Sequence, residues 1–436
     1  VSRSFLARPS GQRLSDLAGE TFPLSTTPTS RPAAASAVCG LLHGHRVVLA
    51  ATDPTIASGA IGGAEADVLC VAVAEAMEHR LPLILLIDSA GALLTEGVVV
   101  LGAFRRLHRC MLVARSQGLP MLAVLGRNCY GGASLLAFAA DTRIYPQGCH
   151  LGLSGPRALR SLGAGPEAEP AVLALYGAES RCRHDEDGVI VSDDFAAVSA
   201  VVRAWLAEAV NRSAASTAAA ASRLARRLSL YRGDPSSLSS TSPPPDVAAR
   251  LDQWFPGGWT AAYSDGVVWG EWWADGREAC FAGFVAGRPV GAFACVRMME
   301  ILRGFAGEPP ILAITLLLDS PGQMADVDNE QILLSEFVAR VADLVHGLGA
   351  EGRLVDLWLV GQAGGAIYLA LAAAATRVTA WPGMHIQTLP PRVVDGVLGQ
   401  RQAASATLED LLEARVIDGW ATAPRSDHEP RLPEPD

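Results

Sequence analysis

The sequence predicts an α/β protein of two tandem domains, each built on a stacked parallel sheet and joined by a Pro/Ser linker. Three observations predict it: an apolar content that can fill large cores, a break in composition near the middle, and an ordered set of features found once on each side of that break. The chain has 436 residues, 50% of them hydrophobic and 18% charged. That length exceeds what one core organises, so two to three domains are expected, and the composition is far from that of a disordered chain.

Residues 1–35 are rich in Ser, Thr, Pro and Arg and read as a flexible N-terminal arm. The first domain is expected over 36–232. Its last stretch, Asp194 to Arg232, is rich in Ala, Leu and Arg at helical spacing and reads as a long helix or a helix pair. Residues 233–246, GDPSSLSSTSPPPD, have the composition of an extended, solvated linker. The second domain is expected over 247–425, followed by a flexible tail, 426–436.

The internal repeat carries most of the prediction. An apolar run ends in Asp88-Ser89-Ala90-Gly91 in the first half and in Asp319-Ser320-Pro321-Gly322 in the second. Gly131-Gly132-Ala133 begins 43 residues after Asp88, and Gly364-Gly365-Ala366 begins 45 residues after Asp319. Each Gly-Gly-Ala follows an apolar strand and opens an Ala/Leu-rich helix. Thr-Arg comes next (Thr142-Arg143, Thr376-Arg377), then Gly-x-His (His150, His385). Short runs of Val, Ile and Leu with helices between them are buried strands joined by parallel crossovers.

Several function classes are excluded. A formal charge of -10 argues against wrapping a nucleic-acid backbone. The cluster Arg105, Arg106, His108, Arg109 is a local candidate for an anionic ligand, with a solvated helix face as the bland alternative. Eight scattered cysteines without a CxxC pair read as reduced, mostly buried thiols, and no metal-ligand spacing occurs. Neither a signal peptide nor an apolar run of about 18 residues is seen, so a cytoplasmic, non-membrane protein is expected. There is no P-loop and no GxSxG elbow, and the glycine-rich stretch Gly59–Gly63 lacks the GxGxxG spacing. Cys129 beside the Gly-Gly turn reads as a small buried thiol rather than a nucleophile.

A Gly-Gly pair opening a helix straight after a strand has a chemical use. The missing Cβ atoms let a ligand approach the backbone, and the first helical N–H groups lack intrahelical acceptors at the positive end of the dipole. Two such amides aimed at one point form an oxyanion hole, each donor worth roughly 3 kcal/mol of transition-state stabilisation. Close packing of helix on strand is the alternative for a lone pair. Its recurrence in both halves favours function.

These residues resemble the carboxyltransferase branch of the crotonase superfamily, including the β and γ subunits of biotin-independent malonate decarboxylase, here fused. The stretches that carry the resemblance are Gly59–Leu69, Asp88–Gly97, Cys129–Ser134 and His150–Arg157, then Leu317–Gln323, Gly361–Tyr368 and Trp381–Ile386. The resemblance implies tandem crotonase-like ββα spirals, the first half β-subunit-like and the second γ-subunit-like. It implies that the amides of Gly131, Gly132 and Ala133 hold a thioester carbonyl and that Gly364, Gly365 and Ala366 face the departing carboxyl group. By the same resemblance, Gly62, Gly63, Ala90, Gly91, Glu96, Ser154 and Gly155 line the substrate.

The implied reaction is decarboxylation of a malonyl thioester to the acetyl thioester through an enolate. No covalent cofactor or metal is implied. The substrate arm is CoA or the phosphopantetheine of an acyl carrier protein. The implied partners are that carrier protein, an acyltransferase subunit and further copies in a homodimer or larger oligomer. The alternatives are a biotin-dependent acyl-CoA carboxyltransferase with a biotinylated partner and a non-catalytic scaffold of the same fold. Leu93 and Thr95 depart from the family pattern, where Arg and Gln stand, and put the substrate in question. His150 and His385 read as strand-end caps, Asp88 and Asp319 as turn residues, Glu96 as a turn-orienting group or an acid/base, and the tryptophans from Trp254 to Trp273 as packing.

Overall fold

The computed structural model describes residues 4–24, 31–161, 169–209, 217–232, 240–274, 277–307, 313–398 and 406–421. Two sheets follow one another along the chain. The first contains β1 (Glu20–Pro23), β2 (Ala35–Leu42), β3 (His45–Thr52), β4 (Leu83–Ser89), β5 (Met121–Tyr130), β6 (Thr142–Pro146), β7 (His150–Gly152) and β8 (Gly188–Val191). Its order is β1-β2-β3-β4-β5-β6-β8, with β7 pairing the far end of β5. From β3 onward every pairing is parallel.

The first domain's helices are α1 (Ser10–Leu17), α2 (Gly63–His79), α3 (Val100–Ser116), α4 (Gly132–Ala139), α5 (Pro156–Ser161), α6 (Glu169–Tyr176), α7 (Ala178–Cys182), α8 (Phe195–Ala209) and α9 (Thr217–Arg232). The pair α8 and α9 fills the stretch read as a long helix or helix pair.

The second sheet repeats the plan with β9 (Trp259–Ser264), β10 (Val267–Ala274), β11 (Arg277–Phe284), β12 (Ala313–Ser320), β13 (Leu354–Gly364), β14 (Arg377–Ala380), β15 (His385–Gln387) and β16 (Gly419–Trp420). Its order is β16-β14-β13-β12-β11-β10-β9, with β15 pairing β13. Its helices are α10 (Pro245–Trp254), α11 (Ala292–Gly307), α12 (Val327–Gln331), α13 (Leu334–Ala350), α14 (Gly365–Ala374), α15 (Pro391–Leu398) and α16 (Leu408–Glu413). Helix α10 starts on Pro245, whose fixed φ and missing N–H suit a first helical turn.

Strand β4 reads LILLIDS and is buried at every position, because helices cover both faces of a parallel sheet. One apolar core runs through both domains, from Leu107 and Phe104 on α3 to Phe337 on α13 and Leu369 on α14. Helix α14 packs on α3 and α13 packs on α4, so the halves meet through their site-bearing helices. Trp254, Trp259, Trp272, Trp358 and Trp381 form a satellite cluster in which Phe255 stacks on Trp272 at 4.9 Å and Trp358 lies 4.9 Å from Trp381, while Trp269 packs against the main core.

Two expectations from composition change. The flexible arm expected over 1–35 is instead structured where it is described: Phe5 is buried, α1 docks on the sheet, and β1 pairs antiparallel with β2. Its polar composition hides this because a buried ion pair, Arg13 to Asp88 at 3.0 Å, anchors it alongside a short apolar face of Leu14 and Leu17. Arg105 and Arg109 of the basic cluster on α3 serve an interdomain seam rather than a solvated face, while Arg106 pairs within the first domain. Arg105 donates to the Ala372 carbonyl at 3.0 Å and pairs with Asp418, Arg109 donates to the Ala375 carbonyl at 2.7 Å, and Arg106 pairs with Asp67. Within the linker expected over 233–246, residues 233–239 lie outside the described residues, while Thr241 already bridges Tyr263. The tail expected over 426–436 also lies outside them.

Candidate active site

Asp88, the penultimate residue of strand β4, is a buried carboxylate that accepts the Asn128 N–H at 3.2 Å and pairs with Arg13. A Cβ on Gly126 would lie 2.2 Å from the Asp88 side chain, so glycine is what lets the carboxylate into β5. The β4–β5 register shifts there, between Ile87 and Ser89, and Asn128–Tyr130 pairs with β7 instead of β6. The strand ends at Gly131, φ 61°, whose N–H donates to the Gly152 carbonyl at 3.2 Å. Gly91, φ 105°, turns directly beside it.

Helix α4 then begins. Its first turn closes with the Ser134 N–H on the Gly131 carbonyl at 3.0 Å. Among the described residues, the Gly132 and Ala133 amides have no protein acceptor. These are two adjacent donors left unpaired at the positive end of a helix, a chemistry suited to an anionic oxygen. A Cβ on Gly132 would meet the Phe104 ring at 2.4 Å, so this glycine also permits close packing of α4 on α3.

The second copy repeats these devices. Asp319 accepts the Gln362 N–H at 2.8 Å and pairs with Arg250, a Cβ on Gly361 would lie 2.2 Å from the Asp319 side chain, and the register shifts between Leu318 and Ser320. Gly365, φ 57°, donates to the Thr388 carbonyl at 3.2 Å. The structural equivalent of Gly131 is therefore Gly365, and the equivalent of Gly132 is Ala366. Matching the two Gly-Gly-Ala strings letter by letter slips the register by one residue.

The copies diverge at one position. Ala92 forms the parallel bridge with Ile61, and Gln323 forms the same bridge with Val290. Ala92 offers only a methyl group, whereas the Gln323 Oε1 accepts the Ala366 N–H at 2.9 Å. The second helix start is thus capped from within the protein. Repeat matching alone does not single out Gln323, although the Ala/Gln difference is visible once the aspartates are aligned.

The remaining site candidates shape the loops. The Gly62 N–H donates to Glu65 at 2.9 Å and the Gly63 N–H to Glu96 at 2.9 Å. Arg31 clamps Glu65 with two bonds of 2.6 Å and reaches Glu96 at 3.1 Å. Burial opposes the Glu65 charge, but Arg31 and the amides of Ala34 and Gly62 outweigh it and hold the carboxyl below its ordinary range. Glu96 therefore sits in a turn-orienting network. The Ala90 N–H donates to the Ser58 carbonyl at 3.0 Å, the Gly91 N–H to Ser89 Oγ at 3.1 Å, and the Ser154 N–H to Glu330 at 2.6 Å. Gly155 lies against the Tyr130 ring. His150 Nδ1 contacts the Arg127 carbonyl at 3.1 Å, the geometry of a strand-end cap. Burial pushes the Cys129 thiol well above its ordinary range, which makes it a poor nucleophile.

Residues 26–241 match the carboxyl transferase domain family. The first half of the chain, which carries this match, has the sheet-helix plan of a crotonase-like carboxyltransferase fold. The second half repeats its plan, so the chain holds two tandem domains of this fold. The chain is 31% identical over 128 residues to the acetyl-coenzyme A carboxylase carboxyl transferase subunits beta/alpha of Salinispora arenicola, covering 29% of this chain and 23% of that one. It thus spans under a quarter of the length of that relative. It is 26% identical over 393 residues to the biotin-dependent acetyl-/propionyl-coenzyme A carboxylase beta6 subunit of Mycobacterium bovis, covering 85% of this chain and 77% of that one. Among solved structures, it is similar to a Pseudomonas malonate decarboxylase MdcD-MdcE hetero-dimer, with 24% identity, TM-score 0.40, and 47% of this chain and 89% of that one covered. No helix among the described residues is long and apolar enough to cross a membrane.

Proposed function

We propose that this chain makes or breaks the bond between a carboxyl group and the α-carbon of an acyl thioester, as a carboxyltransferase acting on acyl-CoA. One observation carries the reading: the adjacent Gly132 and Ala133 amides, unpaired among the described residues, at the start of a helix in a carboxyl transferase domain. When the carboxyl group leaves, its bonding electrons pass through the α-carbon to the thioester oxygen, and the two N–H groups hold that oxyanion. The reverse direction adds a carboxyl group to the same enolate. The relatives named as acyl-CoA carboxylases support CoA as the substrate arm and a biotinylated partner as the carboxyl carrier.

A second reading has its own support. Gln323 fills the helix-start amide of the second domain, the side the family resemblance gives to the carboxyl group, so a carrier must displace it to bind there. That favours release of CO2 from a malonyl thioester without transfer, with an acyl carrier protein and an acyltransferase subunit as partners. The test supplies malonyl-CoA, methylmalonyl-CoA and malonyl-acyl carrier protein to the full chain, with and without free biotin, and follows CO2 and acyl product. Carboxyl transfer that requires biotin supports the first reading, and CO2 release indifferent to biotin supports the second. No turnover under any condition, with the protein folded, contradicts both and leaves the scaffold.

A further inference from the structure

We propose that Glu330 is a positioning residue through which the second domain holds the first-domain site in shape. Its kinetic consequence rests on the acyl-thioester reading above; its structural consequence does not. Glu330 lies on α12 and is 1% exposed. One carboxylate oxygen accepts the Ser154 N–H at 2.6 Å and the other accepts the Leu153 N–H at 3.2 Å. Those residues directly follow β7, whose Gly152 carbonyl accepts the Gly131 N–H. A short chain of bonds therefore runs from a second-domain carboxylate to the residue preceding the two unpaired amides.

The rest of the pocket is built around that carboxylate. Arg181, fully buried on α7, donates to the Glu330 backbone carbonyl and lies 3.9 Å from its carboxylate, while its guanidinium covers the Tyr176 ring at 5.0 Å. The Tyr176 hydroxyl donates to the Ser154 carbonyl at 2.5 Å. Burial pushes the Glu330 carboxyl up, and Arg181 with the two amides pulls it back. A buried carboxylate is expensive unless its hydrogen bonds are satisfied, so the amides that satisfy it are held firmly. A few residues on, Ser335 Oγ lies 3.0 Å from Ser134 Oγ, and Ser134 Oγ donates to the Gly131 carbonyl at 2.7 Å. The second-domain segment Glu330–Ser335 thus reaches the Gly131–Ser134 turn by two routes, directly through Ser335 and Ser134 and indirectly through Ser154 and Gly152.

The experiment compares wild type, Glu330→Ala and the isosteric Glu330→Gln as full chains. Amide hydrogen exchange is read at Leu153, Ser154 and Gly131, with kcat and KM on the active thioester. The proposal expects Glu330→Ala to speed exchange several-fold at all three amides, with α2 and β4 unchanged. It expects kcat to fall on the order of 10²-fold with a smaller change in KM, because a misplaced hole loses transition-state contact first. Glu330→Gln, which keeps one acceptor oxygen, should restore part of both. If Glu330→Ala loosens α2 and β4 as well, Glu330→Gln alone decides, by the same two readouts. Unchanged exchange at Gly131 overturns the proposal, as does faster exchange with wild-type kcat and KM. A wild type that turns over no thioester defeats the acyl-thioester reading instead, and the exchange result still decides whether Glu330 holds the turn.

Discussion

In the first domain the residue bridged to Ile61 is Ala92, and the Gly132 amide at the helix start is open; in the second the residue bridged to Val290 is Gln323, and its Oε1 sits 2.9 Å from the Ala366 amide. Everything that builds the turn is shared: the aspartate at the strand end, the glycine that admits it, the register shift and the left-handed glycine. The backbone plan therefore makes a pair of helix-start donors, and a single side chain decides whether the first of them is available. A neutral hydrogen bond contributes about 0.5–1.5 kcal/mol net, so Gln323 weakens any competing ligand in the second domain by up to roughly tenfold.

The largest expected difference between the copies lies in the strand-end aspartates. Asp88 and Arg13 side chains are 0% and 2% exposed, whereas Arg250, the partner of Asp319, is 35% exposed. Asp88→Ala leaves Arg13 as an unpaired buried charge and should cost about 3–5 kcal/mol. Asp319→Ala strands a cation that water can reach and should cost about 1.5–3 kcal/mol. Urea midpoints of the two variants measure this, and equal losses would break the comparison.

Acid sensitivity should be unequal too. Arg143 of the first Thr-Arg pair is fully buried against Asp185, while Arg377 of the second is 48% exposed beside Asp356. Burial opposes the Asp185 charge, but Arg143 and the Tyr145 hydroxyl outweigh it and hold the carboxyl below its ordinary range. A depressed carboxyl contributes stability that is complete above its unfolded value, about 3.9, and disappears as pH falls through the lower folded value. Unfolding followed below about pH 4 should therefore steepen in the wild type and flatten in Asp185→Asn. An unchanged acid profile in the variant would remove Asp185 from this role. The smallest effect is expected of Gln323→Ala, a loss of about 0.5–1.5 kcal/mol in the urea midpoint with turnover retained. A large loss of turnover would mean that Gln323 serves the chemistry rather than capping an unused site.

The tandem architecture was legible because buried parallel strands have a strong local signature, and because the Asp88 and Asp319 motifs and the two Gly-Gly turns recur in order. The first-domain Gly-Gly turn was legible for the same reason. The one-residue slip between the copies was not, since Gly364 and Gly131 hold the same place in the two Gly-Gly-Ala strings while φ 57° at Gly365 and φ 61° at Gly131 mark the true equivalents. Glu330, Arg31 and Arg13 were also hidden. Each acts through a partner more than 30 residues away, Arg13 on Asp88, Arg31 on Glu65 and Glu330 on Ser154, and no local spacing announces such pairs. The arm carrying Arg13 has the composition of a loop, while its order comes from a buried ion pair, a short apolar face and the pairing of β1 with β2.

The central claim is that the first-domain amides do the chemistry and that residue 92 keeps them open. The most direct measurement is a reciprocal exchange, Ala92→Gln and Gln323→Ala, with kcat read on whichever malonyl or methylmalonyl thioester the wild type turns over. Filling the first hole should lower kcat by about 10²–10³-fold, the cost of one oxyanion donor, while emptying the second leaves kcat near wild type. Full activity in Ala92→Gln would contradict the account.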